Sequence, residues 1–220
     1  MTKLPHYNVV IATPGHSMKA EYVKSLVDTL SILDAASLTY TFLTKYSSFV
    51  PSARELTATD SYVNNWETRE VGSGTFTYDK IIWIDSDIEW TPEDFMALYD
   101  SELDIISGLY QTSMDGTVAV HFPDDQGRPT RVNKVEFLLH DQPVEVGGVG
   151  FGFVCMKQGV FENMERPWFL IRRVKWDGYD FYNNVGEDYS WCANAQSSGF
   201  KIWVDPNVKV KHHKETVYLV

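Results

Sequence analysis

Two carboxylates spaced two apart, Asp85 and Asp87, end the apolar run Lys80-Ile81-Ile82-Trp83-Ile84. Two hard oxygen donors on one side of a chain suit a divalent cation such as Mg²⁺ or Mn²⁺. An Asp-x-Asp spacing arises by chance in a chain with this aspartate content, so the position of the pair matters more than its spacing. A short continuous apolar run bounded by polar residues reads as a strand buried on both faces. Ligands of α/β sheets bind beyond the carboxyl ends of such strands. If the strand geometry continues through Ser86, side-chain alternation points both carboxylates the same way.

The elements that must hold this pair can be read outward from it. Tyr7 to Thr13 is β-branched and apolar, a first buried strand broken by Thr13-Pro14-Gly15-His16-Ser17, with Ser17 offered as a helix N-cap. Met18, Tyr22, Leu26, Leu30 and Leu33 recur at steps of three or four and predict an amphipathic helix. Leu38 to Thr44 is a second strand, completing a βαβ unit and hence a parallel sheet. A helix carrying Arg54 is expected from about Ala53. After Asp87, Thr91-Pro92-Glu93-Asp94 places Thr at an N-cap, Pro at N1 and acids in the first turn. Asp104 to Tyr110 reads as another strand.

The second half changes character. Val118–Phe122 and Val132–Leu139 are expected as antiparallel strands, Val146–Met156 as a glycine-rich strand, and about Gln158–Met164 as a short helix. Gly186-Glu187-Asp188 opens a helix stopped by Gly199. Phe200–Val204 is a last strand, after which Asp205-Pro206 turns the chain into Val208–His213.

Bulk composition narrows the function. The 220 residues, 44% hydrophobic and 22% charged, are ordinary for a chain that buries a full core as one domain. The formal charge of −11, with a lysine cluster only at 209–214, argues against nucleic acid as a partner. Cys155 and Cys192 sit in apolar settings and read as buried free thiols of a reducing compartment. The apolar run Val9–Ala12 is too short for a signal peptide, and nothing reaches the length of a membrane span, which leads to the expectation of a soluble cytoplasmic protein.

Taken in order, four pieces carry a resemblance: Ile82-Trp83-Ile84-Asp85-Ser86-Asp87-Ile88, Gly148-Val149-Gly150-Phe151-Gly152-Phe153, Gly186-Glu187-Asp188-Tyr189-Ser190-Trp191-Cys192, and Asp205 through His212. Singly they are weak motifs; in this order, over nearly the whole chain, they resemble the GT-A class of nucleotide-sugar-dependent glycosyltransferases. The resemblance implies an α/β fold, a mixed and mainly parallel sheet flanked by helices, with a small antiparallel sheet in the second half. It implies a single domain, 1–220, with a nucleotide-binding half at about 1–112 and an acceptor-binding, catalytic half at about 113–220.

The resemblance also implies roles. Asp87 matches the metal-ligating aspartate, Asp85 the one nearer the ribose or a metal-bound water, and His212 the late histidine that completes the metal shell; imidazole suits Mn²⁺ better than Mg²⁺. His213 is adjacent, and alternation from Val208 and Val210 favours His212. Thr13, Pro14, Gly15, Arg54, Asp85 and Ser86 fall where the class contacts the nucleotide, although Glu55 follows Arg54 where Asn is common. Asp188, with Glu187, matches the acidic pair opening the catalytic helix, a general base in inverting members. In any protein, acids there also complement the helix dipole. Gly148 and Gly150 would let backbone approach the donor sugar or acceptor. Trp168, Trp176, Tyr179 and Tyr182 are candidates to stack on acceptor sugars. The implied activity is transfer of a hexose from a nucleotide diphosphate sugar, UDP-glucose or UDP-galactose favoured, to a carbohydrate or other hydroxyl acceptor, with Mn²⁺ or Mg²⁺ as cofactor. A sugar nucleotidyltransferase is the first alternative, but Ala12–Ser17 lacks its Gly-rich, Arg/Lys-containing loop. The second is a catalytically silent nucleotide-sugar or glycan-binding protein.

Overall fold

In the computed structural model, residues 3–62, 67–125, 128–137, 139–175 and 183–214 are described. The opening βαβ unit is β1 (His6–Ala12), α1 (Ala20–Ala35) and β2 (Tyr40–Leu43), followed by α2 (Val50–Thr59), β3 (Thr77–Ile84), β4 (Ile88–Glu89), α3 (Pro92–Asp100) and β5 (Ile105–Leu109). The second half contributes the short strands β6 (Thr117–Val118), β7 (Val120–His121), β8 (Val132–Asn133), β9 (Val144–Val146) and β10 (Gly148–Val149). It continues with β11 (Phe153–Lys157), β12 (Arg172–Val174), β13 (Asn183–Val185), α4 (Glu187–Ser197), β14 (Ile202–Lys209) and β15 (Lys211–His212).

Seven strands form one sheet in the order β2-β1-β3-β11-β5-β14-β9. β2, β1 and β3 are parallel, β14 is parallel to β5, and β11 runs antiparallel between β3 and β5. The carboxyl ends of β1, β3 and β5 therefore share an edge with the amino end of β11. Among the described residues, four further two-stranded antiparallel sheets complete the mixed α/β architecture.

Alternation along the strands sets the two layers of the core. Val9, Ile11, Ile82 and Ile84 pack with Tyr22 and Leu33 of α1 and Phe95 and Leu98 of α3. Val10, Ala12, Ile81 and Trp83 face the other way, into an aromatic layer of Phe151, Phe161, Trp168, Phe169 and Trp191. Trp83 meets Phe151 and Phe169 edge-on at 5.7 and 5.5 Å, the offset geometry that ring quadrupoles favour. Trp168 is a core residue, buried with its indole N–H donating to the Phe161 carbonyl at 3.0 Å, and is not free to stack on a sugar.

Local chemistry accounts for several boundaries. α3 starts with a full capping box between Thr91 and Asp94. α4 opens at Glu187 and closes before Gly199, whose φ of +92° suits glycine. Elsewhere the expectations need correction. α1 starts three residues beyond Ser17, with Lys19 at the cap, because the Lys19 amide bonds the Ser86 carbonyl and ties the chain to the β3 exit. Val118–Phe122 and Val132–Leu139 are antiparallel only in part: β6 pairs with β8 at Val118 and Val132 and Pro123 bridges Pro129, but β7 pairs with β10 and 134–137 is a 3-10 turn. Gln158–Met164 is a series of turns, not a helix. β14 runs straight through Asp205-Pro206, its pairing with β5 shifting register there, which accommodates the missing proline N–H as a bulge does.

Glu55, which sequence left as an oddity beside Arg54, is buried under the loop 166–169. Its carboxylate pairs with Arg166 at 3.0 Å and accepts the Phe169 amide at 2.9 Å, while Arg166 also donates to the Thr68 carbonyl at 2.8 Å. Burial pushes the Glu55 carboxyl up, against the pull of the Phe169 amide and Arg166. Removing one partner of a buried pair costs about 3–5 kcal/mol, because the other is left facing an apolar wall. Glu55→Ala is accordingly expected to lower stability by that order, read as a lower urea midpoint. A change within half a kcal/mol would mean that the pair does not anchor the loop.

Candidate functional site

The β3 exit does not stay extended. The Asp85 amide bonds the Gly152 carbonyl at 3.0 Å and the Ile88 amide bonds the Asp85 carbonyl at 3.1 Å, so residues 85–88 form a turn. The turn parts the two carboxylates that an extended strand would have aligned. Asp85 faces the buried guanidinium of Arg54, Oδ1 to Nη2 at 3.4 Å. Asp87 faces His212, Oδ2 to Nε2 at 3.1 Å.

His212 reaches Asp87 because β15 pairs antiparallel with β4, setting His212 beside Ile88 and Lys211 beside Glu89. The His213 amide donates to the Asp87 carbonyl at 2.8 Å, while its ring takes Glu89 as partner at 2.6 Å. The other ring nitrogen of His212, Nδ1, lies 3.0 Å from the Gln111 carbonyl. A carbonyl only accepts, so Nδ1 carries the proton. Nε2 faces the Asp87 carboxylate as a donor when the ring is protonated and as an acceptor when it is not. A proton or a cation must lie between them, and an imidazole nitrogen beside a carboxylate oxygen is a donor set for Mn²⁺. The hydrogen bond to Asp87 raises the His212 pKa against the effect of burial. Burial alone would raise Asp87, but His212 brings its carboxyl below the usual range.

Among the described residues no three His, Cys, Asp or Glu side chains converge to hold an ion by themselves. Asp87 and His212 would be protein ligands in a shell otherwise filled by water or a substrate, the usual situation for a small hard cation bound with phosphates.

A second cluster adjoins the first. Arg54, 5% exposed, also meets Glu187 at 3.3 Å and lies over the Phe151 ring at 5.1 Å. Its Nη1 is buried without a hydrogen-bond partner. Burial opposes its charge, but Asp85, Glu187 and Asp188 hold its pKa above the ordinary value. Burial pushes the Asp188 carboxyl up, with Arg54 opposing and Glu187 adding to the rise. α4 brings both acids here because Gly186 ends β13's run and its first turn faces the β3 exit.

Two clefts flank the Asp87–His212 pair. One of about 450 Å³ is lined by Ser17, Lys19, Ser86, Asp87, His213 and Lys214. The other, about 600 Å³, is lined by Asp85, Tyr110, His121, Gly150, Asp188 and His212 among others. Asp87 opens on the first and His212 on the second.

The remaining sequence candidates fall as follows. Thr13 is fully buried and its hydroxyl bonds that of Tyr22 at 2.5 Å, so its side chain faces the α1 layer. Pro14 is half-buried, and the Gly15 amide donates to Lys45. A Cβ on Gly15 would stand 3.2 Å from the Ser86 hydroxyl, which keeps the two loops close. Gly148 backs onto His121 and Gly150 onto the Tyr110 hydroxyl; a Cβ at either would lie within 2.3 Å of those groups. Trp176, Tyr179 and Tyr182 lie outside the described residues. Sequence reasoning missed Tyr110, whose hydroxyl accepts the Gly152 amide at 3.0 Å and whose ring meets His212 edge-on at 5.5 Å. It missed His121, stacked on Tyr189 at 3.9 Å. Only the glycines opposite them hinted at large side chains nearby.

No protein-family model matches the chain, and no curated protein matches it in sequence. Solved structures do match it. A197 from STIV is 18% identical, with 97% of each chain covered and a TM-score of 0.52. The catalytic domain of Drosophila beta1,4galactosyltransferase 7, solved with xylobiose, is 11% identical over 96% of this chain and 72% of that one, at 0.50. GalNAc-T7, solved with UDP, GalNAc and Mn²⁺, is 13% identical over 96% of this chain and 44% of that one, at 0.52. The fold is of the GT-A type. At these identities the likeness is one of architecture. No described helix is long and apolar enough to cross a membrane.

Burial brings the His121 pKa down from 6.5 to about 4. The folded state then binds fewer protons than the unfolded one between those values, so the stability His121 contributes is complete above the upper value and lost as pH falls toward the lower. His121→Gln cannot titrate and should flatten that part of the acid decline. Urea midpoints of wild type and variant across the window test this; parallel curves would refute it.

Proposed function

We propose that this protein is a metal-dependent glycosyltransferase that moves a hexose from a nucleotide diphosphate sugar, UDP-glucose or UDP-galactose, to a hydroxyl of a carbohydrate or similar acceptor. The observation that carries it is the Asp87–His212 pair at the junction of two clefts, one of which holds Asp188. The GT-A-type fold and neighbours solved with UDP, GalNAc and Mn²⁺ or with xylobiose support the same reading.

Asp87 and His212 would hold Mn²⁺ or Mg²⁺, with Asp85 nearby on the ribose side. The bound cation supplies Lewis-acid stabilisation of the charge that develops on the departing diphosphate. Ser86 and the Pro14–Gly15 turn border the nucleotide, and Arg54 fixes Asp85 against Glu187. In the larger cleft Asp188 accepts the proton of the acceptor hydroxyl. That oxygen bonds the anomeric carbon as the bond from carbon to phosphate oxygen breaks, and the electron pair leaves with the nucleoside diphosphate. A base at Asp188 acting opposite the leaving group requires inversion, so the anomer of the product checks the assignment. The two halves, about 1–112 and 113–220, would bind nucleotide and acceptor respectively.

Titration with a panel of nucleotide sugars, with and without Mn²⁺, tests the reading. One UDP-sugar should bind only with metal and release UDP slowly to water. Asp87→Ala or His212→Ala should weaken that binding tenfold or more. No metal-dependent binding of any nucleotide sugar would end the proposal.

Asp188→Asn tests the base role. Turnover should fall by 10²–10⁴-fold, the usual worth of a general base, with donor binding kept. Because Asp188's folded pKa is raised, its ionised form costs stability that is regained below the ordinary carboxylate pKa and lost as pH rises through the folded value. The same substitution should therefore raise the melting temperature at neutral pH. Turnover kept in the variant would take the base role from Asp188, whereas donor binding with no turnover in the wild type would favour the silent nucleotide-sugar binder.

A further inference from the structure

A crevice of about 300 Å³ lies where β5, β14 and the 117–137 segment meet. Its floor is Leu109, Tyr110, Val118, Phe137 and Val210, each 3–8% exposed where the neighbouring core residues Val154 and Val204 are closed completely. Its polar lining is Gln111, Lys134 and Lys209, with no carboxylate among the lining residues, on a chain whose net charge is −11. The 3-10 turn 134–137 makes this arrangement, since side chains three apart nearly eclipse in such a turn and set Lys134 above Phe137. Lys209 comes from the last residue of β14, beside Leu109 in register. Lys134 is held over the opening by Gln111, Nζ to Oε1 at 3.2 Å.

Interiors rarely keep voids much larger than a water molecule. Small-molecule sites start at about this volume and combine apolar walls with a few placed polar groups. We propose that this crevice binds a small amphipathic anion, its hydrocarbon part on the Leu109–Val118–Phe137–Val210 floor and its carboxylate or other acidic head between Lys134 and Lys209. The two lysines select for charge and the floor selects for an apolar body, so neither a free inorganic anion nor a neutral alkane satisfies both. The crevice shares Tyr110 and Val118 with the larger cleft but neither of its lysines with either cleft, and the proposal does not depend on the transferase reading.

Octanoate and octanol, alike in chain and different in head group, serve as probes in calorimetric titrations of the full chain. Octanoate should bind saturably at one site, at least fivefold tighter than octanol. The double variant Lys134→Ala/Lys209→Ala changes two exposed side chains and should fold normally. It should weaken octanoate about tenfold and leave octanol unchanged. Val210→Phe, filling the floor, should weaken both probes, with circular dichroism confirming the fold. Equal affinity for octanoate and octanol, or octanoate binding indifferent to loss of the lysines, would mean adsorption to exposed apolar surface and would overturn the site.

Discussion

The Arg54 guanidinium is the constraint to which the rest of the site is fitted. It is buried, and a buried charge persists only with partners. Its partners come from two distant parts of the chain: Asp85 from the β3 exit and Glu187 from the first turn of α4, with Asp188 close enough to raise its pKa. A single residue of α2 thereby locks the strand-end turn to the late helix. The aromatic layer beneath, Phe151 and Phe169 under the guanidinium, fixes its plane and excludes water.

That clamp leaves the carboxylates in excess. One guanidinium faces Asp85, Glu187 and Asp188, and Asp87 lies two residues on. Lys19 and Lys214 border the smaller cleft, and the Lys214 charge helps to lower the Asp87 pKa. A proton on His212, or a divalent cation between His212 and Asp87, would each satisfy Nε2 and the carboxylate.

Much of this was legible locally. The apolar run into Asp85-Ser86-Asp87, the Thr91 capping box and the Gly186–Glu187 helix start are short-range patterns, and each element formed where its pattern lay. What was not legible depends on pairing across the chain. Nothing in Phe153–Lys157 says that it will insert antiparallel between β3 and β5, yet that insertion delivers the Gly152 carbonyl to the Asp85 amide and so bends the strand end. Thr13 read, with Pro14 and Gly15, as a nucleotide contact at the end of the first strand; Tyr22, nine residues on, claims its hydroxyl. Glu55 looked like a departure from a nucleotide-binding pattern and is a buried anchor for the loop 166–169. Tyr110 and Gln111 carried no motif at all, since their roles are to hold Gly152 and His212.

The segment after β14 is where local and long-range information meet. Alternation alone separates His212 from His213, but cannot say what either faces. Antiparallel pairing of β15 with β4 answers this: a residue opposite Ile88 projects to the side of the Asp85–Ile88 turn, and the next one projects toward Glu89. The Lys211 and His213 contacts with Glu89 flank His212 on both sides, so the imidazole is delivered by a strand fixed at two points instead of by a free tail. Fixing Nδ1 on the Gln111 carbonyl removes the remaining ring freedom. A histidine held in strand, ring and tautomer is preorganised for a partner at Nε2, and preorganisation of this kind is what a ligand needs to bind without first ordering its own site.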